Sequence, residues 1–428
     1  MNGNDQASHI DRELAQHIVR RMGETGQPPE RGALKVNVGT DTILEALRRE
    51  YLEPIRATSS NSTFKLVQGP FGGGKSHFLY CFREIAWKEG FATSVVGVSP
   101  RECPFYDMRR VYQRVAQTIE LPPDHELTEP DPGIDVVLRS VIEARRSQAG
   151  EGELVDWLRG EARSARIESH AWRKAAFSFM EAVLLRRQEQ ADLLGDWLRG
   201  SDVRANEVAP FGIRETLEDS NAFRWLRSLV QFLRVIEIPG VVLMFDELDR
   251  ALSLPRRNRR EIGDNLRQLI DSCGQSILPG AVMLYAVPPE FMTHLVPEYP
   301  ALEQRLRGPT TFTPVAPTAP VIDLDRLPLG PVELLRAIGE KLLDLYRVAY
   351  PEASFDARLQ KKHLSALAQL IGENQLEIGS RRVFVRAAIT LLAEQHRGGQ
   401  RELTPEELQR YAGSAASEAP PLEGEEVF

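Results

Sequence analysis

The stretch Gly69-Pro70-Phe71-Gly72-Gly73-Gly74-Lys75-Ser76 constrains this chain more than any other. Its spacing, G-x-x-x-x-G-K-[ST], lets glycine backbone N–H groups turn inward around phosphate oxygens. Glycines alone only punctuate turns. Here Thr63–Gln68 reads as a short strand before the loop, and His77–Trp87 reads as a buried helix after it. Strand, glycine loop and helix are the sequence the motif needs. A helix starting at the loop also brings its positive N-terminal end to the phosphates. Lys75 is spaced to reach the β- and γ-phosphates, and the Ser76 hydroxyl to ligate Mg²⁺. The cradle expected for ATP is therefore Gly69, Gly72, Gly73, Gly74, Lys75, Ser76 and His77.

A second half-site follows far along the chain. Gly240-Val241-Val242-Leu243-Met244-Phe245 is an unbroken apolar run, the mark of a strand buried on both faces of a parallel sheet. It ends in Asp246-Glu247, at the strand end where ligands sit in such sheets. This is the Walker B pattern: Asp246 to hold Mg²⁺, Glu247 to polarise the attacking water. Successive strand residues point opposite ways, so a turn must bring Glu247 round to the same site. Next come Arg256, Arg257, Arg259 and Arg260, four arginines within five positions. They read either as a solvated helix start or as a loop that contacts nucleic acid phosphate.

The remaining organisation is a series of helices and strands. A length of 428 residues suits two or three domains, and 42% hydrophobic content suits a packed core. The formal charge of −8 gives no global signal for nucleic acid, so any DNA contact must be a local basic patch. Cys81, Cys103 and Cys273 lack metal-ligand spacing and read as reduced thiols of a cytoplasmic protein. The polar start is no signal peptide, and no apolar run approaches the ~20 residues of a membrane helix. Further strands are expected at Ala92–Val98 and Ala281–Val287. Asp156–Gly160 and Asp196–Gly200 repeat the same five residues; this is either a degenerate helical repeat or a favoured helix ending stopped by glycine. The expected domains are an N-terminal helical arm at 1–34 and a nucleotide-binding domain at 35–327 with a helical insertion at about 121–210. A helical lid at 328–412 and a disordered acidic tail at 413–428 complete the chain.

This order of elements resembles an AAA+ P-loop ATPase: a parallel α/β domain with a large helical insertion and a C-terminal all-helical lid. More narrowly, it resembles the ATP-binding proteins of BREX-type (bacteriophage exclusion) defence systems. The narrower likeness rests on Gly69–Phe78, on Asp246-Glu247-Leu248-Asp249 and on Gly379-Ser380-Arg381-Arg382-Val383-Phe384-Val385-Arg386-Ala387. The resemblance implies that Arg382 is the lid arginine touching the γ-phosphate of its own subunit. It implies that Arg305 or Arg307 is the arginine finger reaching a neighbour's ATP in an oligomer. It also places Val38-Gly39 against the adenine; read without the resemblance, the same residues are a strand-to-helix turn capped by Asp41. One departure stands out. The fourth strand ends Ala286-Val287-Pro288-Pro289-Glu290, with no polar side chain to position water.

Two functions fit. One is an oligomeric ATPase that acts on duplex DNA or loads a defence-system partner protein. The other is a nucleotide-gated switch or scaffold with slow, partner-dependent hydrolysis and no direct DNA action.

Overall fold

The apolar runs form one five-stranded sheet in the computed structural model, which describes residues 11–58, 61–125, 127–128, 131–247, 252–308, 310–353, 355–373 and 379–417. The strands are β1 (Thr63–Gln68), β2 (Ala92–Gly97), β3 (Val241–Asp246), β4 (Ala281–Val287) and β5 (Val321–Asp323). Their order is β2-β3-β4-β1-β5, and every pairing is parallel. Thr63 sits opposite Val282, and Val241 opposite both Ala92 and Ala281. β1 and β3 therefore flank β4, and their C-terminal ends open on one edge of the sheet.

Strand alternation sends neighbouring residues into two different cores. Phe64, Leu66, Leu243, Phe245, Met283 and Tyr285 face one core, shared with the helices Met108–Thr118, Ala222–Val235 and Arg256–Gly274. Val67, Val242, Met244, Val282, Leu284 and Ala286 face the other, filled by the helix Lys75–Lys88 and the segment 41–58. Every residue of β3 and β4 is buried. That explains why both read as continuous apolar runs instead of alternating ones.

The insertion is a group of helices, Ile134–Trp157, His170–Leu184 and Gln188–Leu198, that continues the first core. Trp172 donates from its indole N–H to the Tyr112 hydroxyl at 2.8 Å, and Tyr112 donates to the Leu198 carbonyl at 2.6 Å. Trp197 packs on Trp225 with ring centroids 4.1 Å apart. The two copies of Asp-Trp-Leu-Arg-Gly differ in structure. The second ends its helix at Gly200, whose φ is +75°. The first continues into a π-helical turn at Leu158–Ala162. The helix-ending reading therefore holds for the second copy alone.

The lid comprises Pro331–Ala349, Ala357–Glu373, Ser380–Gly398 and Pro405–Ser417. The last helix runs to Ser417, with Ala415 buried against the lid core, so 413–417 are not part of a tail. The rest of the expected tail lies outside the described residues. The helix Arg12–Thr25, set apart in the sequence as an arm, packs on these helices: Leu14, Ile18 and Met22 join Leu342, Phe384 and Ile389 in one core. Its Gln16 amide donates to the Ala349 carbonyl at 3.0 Å. Among the described residues no helix is long and apolar enough to cross a membrane.

Candidate functional site

The glycine loop leaves β1 under tight control. The Gly69 N–H donates to the Val287 carbonyl at 3.1 Å, tying the loop to the end of β4. Gly72 has φ +71° and Gly74 has φ +92°, a region that side chains disfavour. A carbon added at Gly72 would also lie 2.7 Å from the Cα of Gly379 in the lid. Gly74 caps the helix Lys75–Lys88. Lys75 is only 7% exposed and donates from Nζ to the carbonyls of Gly69 at 3.0 Å and Pro70 at 3.1 Å. A buried ammonium wrapped by a loop of this kind is chemistry suited to phosphate.

β3 delivers the carboxylates. Asp246 is 9% exposed, and its Oδ1 accepts from the Glu247 N–H at 2.9 Å. Glu247 has φ +64°, so the chain turns left-handed at the strand end. Asp246 and Glu247 both line the cavity that Lys75 and Ser76 line.

One cavity is lined by both polar and apolar residues. The polar ones include Lys75, Ser76, Asp246, Glu247, Arg381 and Arg382. The apolar ones include Met22, Pro28, Val36, Val38, Ile338 and Val385. Apolar walls in a cavity that also carries a phosphate cradle suit a nucleobase. Val38 is among them, and Gly39 follows with φ +80°. The strand-to-helix turn capped by Asp41 is not seen. Ala33–Val36 is a 3₁₀ turn, and Asp41 is the first helical residue, accepting from the Asn37 amide at 2.9 Å. His77 also lines the cavity, with Nε2 3.4 Å from the Cys81 thiol. Burial, helped by the positive charges of Arg381 and Lys341, holds its pKa down at about 4, so the ring is neutral near pH 7.

The lid supplies two arginines where sequence matching singled out one. Arg382 lies over the Phe71 ring, 4.7 Å from its centroid. Arg381 goes deeper and donates from Nη1 to the Gly73 carbonyl. Its guanidinium pKa is pushed below the usual range by burial, with Asp325 opposing. Met22 and Pro28 were also missed, although Met22 is the next step of the Leu14, Ile18 series.

The other candidates lie outside this cavity. Arg305 is held by Asp271 in a two-point pair, 2.5 Å and 2.8 Å. Arg307 is largely exposed and pairs with Glu303 at 2.9 Å. The arginine cluster is not a loop; it is the first turn of the helix Arg256–Gly274. Arg257 is 87% exposed and bonds Glu261 at 3.1 Å, four residues on. Arg256 and Arg260 are exposed too, but Arg259 is tied to the Leu254 carbonyl at 3.1 Å and to Glu298 at 3.0 Å. Leu248 and Asp249 lie outside the described residues. The end of β4, between β1 and β3, presents Val287 and Pro288, both buried.

None of the curated proteins matches the chain in sequence. Among solved structures it is similar to the ORC2 protein of Aeropyrum pernix. For the ADPNP–ADP complexes the identity is 15% and the TM-score 0.47, covering 88% of this chain and 67% of that one. For the ADP form the values are 14% and 0.45, with 92% and 72% covered. The family described as BREX system ATP-binding protein BrxC/D matches residues 10–406, nearly the whole length in which the cradle, the carboxylates and the lid arginines meet. The chain belongs to that family of ATP-binding BREX proteins.

Proposed function

We propose that this chain binds ATP with Mg²⁺ in the cavity between glycine loop and lid, and hydrolyses it as an oligomer acting in phage defence in the cytoplasm. The observation that carries this reading is that Lys75, Ser76, Asp246 and Glu247 line one cavity together with apolar residues. The donor set fits the metal: a hydroxyl and a buried carboxylate are hard oxygen ligands. When bound, Mg²⁺ supplies charge neutralisation to the phosphate oxygens. Lys75 exchanges its loop carbonyls for phosphate oxygens. Glu247 orients and accepts the proton of the attacking water. Arg381, with Arg382 beside it, brings lid charge to the terminal phosphate. Arg307 is the better placed of the two finger candidates, because it is largely exposed and has one pairing to Glu303, whereas Arg305 is held by Asp271 at two points.

Action on duplex DNA, or loading of a partner protein, is the further part of the proposal. The exposed helix start at Arg256, Arg257 and Arg260 is its support. A second reading, a nucleotide-gated switch with slow turnover, is favoured by the end of β4, where Val287 and Pro288 offer no group to hold water.

Lys75→Ala and Glu247→Gln test the site. Lys75→Ala is expected to lose ATP binding while staying folded. Glu247→Gln is expected to bind ATP and lose turnover, since an amide keeps the shape without the base. Unchanged ATP affinity in folded Lys75→Ala removes the assignment. Parent-rate hydrolysis by Glu247→Gln removes Glu247 from the chemistry. Turnover that appears only with DNA or with a partner separates the two readings.

A further inference from the structure

Phe71 occupies a position that the phosphate-binding pattern leaves open to any residue. Nothing in phosphate wrapping calls for an aromatic there, and this one is 42% exposed. Its surroundings supply a reason. Phe71, Gly72, Gly73 and Gly74 all touch the start of the lid helix Ser380–Gly398. Gly72 abuts Gly379, the Gly73 carbonyl accepts from Arg381, Gly74 leaves room for Arg381, and the Phe71 ring faces the Arg382 guanidinium at 4.7 Å. Arg381 and Arg382 are consecutive in a helix, so their side chains leave the axis about 100° apart. Fixing one fixes the rotation of the helix and thereby aims the other.

We propose that Phe71 is a positioning residue: its ring holds Arg382, and this clasp aims Arg381 at the terminal phosphate of ATP. The proposal rests on the ATP-site reading above. It divides the labour of the paired arginines. Arg382 docks the lid to the loop by a cation–π contact, and Arg381 reads the phosphate. Phe71 also borders a second hollow with Gly379, Ser380 and Arg381, so the ring stands between the lid turn and the nucleotide cavity. ADP lacks the terminal phosphate, so the clasp bears on discrimination between the two nucleotides more than on nucleotide binding as such.

The test measures ATP and ADP affinities, with Mg²⁺, in the full chain carrying Glu247→Gln. Phe71→Leu is expected to weaken ATP binding about fivefold, the size of a partly exposed cation–π contact, and to leave ADP within about twofold. Arg382→Ala should match it, and Phe71→Tyr, which keeps the ring, should restore the parent value. In an Arg381→Ala background Phe71→Leu should add nothing, because the residue it aims is gone. ADP affinity falling with ATP affinity, or an undiminished Phe71→Leu effect without Arg381, overturns the clasp. So does an unchanged ATP affinity in Phe71→Leu while Lys75→Ala abolishes binding. Retained binding in folded Lys75→Ala overturns the site reading as well.

Discussion

Glycine at position 247 is expected to give a more stable chain than alanine, the reverse of the order at most positions. Glu247 sits at φ +64°. Its neighbours impose that conformation. The Asp246 carboxylate accepts the Glu247 N–H at 2.9 Å, and the Asp246 carbonyl accepts from the Val98 N–H at 2.8 Å. Behind them Phe245 stacks on Tyr285, with centroids 4.5 Å apart, so the strand end has little freedom to relax. An L-residue held left-handed costs roughly 1–2 kcal/mol. Glycine avoids this cost but loses roughly 0.5–1 kcal/mol more conformational freedom on folding. The difference leaves Glu247→Gly about 0.5–1 kcal/mol above Glu247→Ala. Both variants remove the carboxylate, so side-chain interactions cancel from the comparison. The assay is denaturant unfolding of the nucleotide-free chain, followed by tryptophan fluorescence. Trp172, Trp197 and Trp225 report on it because they share a core with Phe245. Both variants should also lose turnover and keep ATP binding, as strain stored at a functional residue requires. Alanine more stable than glycine by the usual margin would show that the left-handed turn is not enforced.

His77 gives a pH signature. Its pKa is about 4 in the folded chain against an ordinary 6.5, so between those values the unfolded chain binds more protons and stability falls as pH falls. The loss is at most about 3 kcal/mol from pH 6.5 to 4, and His77→Gln should flatten that part of the unfolding profile; an unchanged slope refutes it. Arg307→Ala should abolish any rise of specific activity with protein concentration, whereas Arg305→Ala should cost stability, at most about 1 kcal/mol, through the Asp271 pair. The opposite pattern would make Arg305 the finger. Arg256→Ala with Arg257→Ala should flatten the slope of log DNA affinity against log salt by up to about two, equally for all sequences. Parent affinity and slope in that variant would remove this helix start from the DNA reading.

The sheet and the two halves of the site were legible because each is written locally. β3 and β4 are unbroken apolar runs, and the glycine loop carries its own spacing. Strand alternation called for a turn at Glu247; that the turn is left-handed is visible only in the structure. The arginine cluster was harder. Its helix starts after Pro255 without a side-chain cap, so the Ser, Thr, Asp or Asn that marks a helix start is missing at that place. Gly413–Ser417 read as tail from composition, yet Ala415 finds an apolar surface that composition does not display.

The lid arginines show where local reading ends. Arg381 and Arg382 are adjacent and chemically identical in sequence, and the family resemblance pointed to Arg382. What separates them is a contact spanning 308 residues, from Arg381 to the Gly73 carbonyl. The same applies to Met22 and Pro28: both line the cavity, and the helix Arg12–Thr25 that carries Met22 rides on the lid core. The segment at the start of the chain and the helices at its end thus wall the same cavity, and the loop Gly69–Gly74 lies between them. The N-terminal helix and the lid form one packed unit, since Leu14, Ile18 and Met22 cannot leave Leu342 and Phe384 without exposing apolar surface.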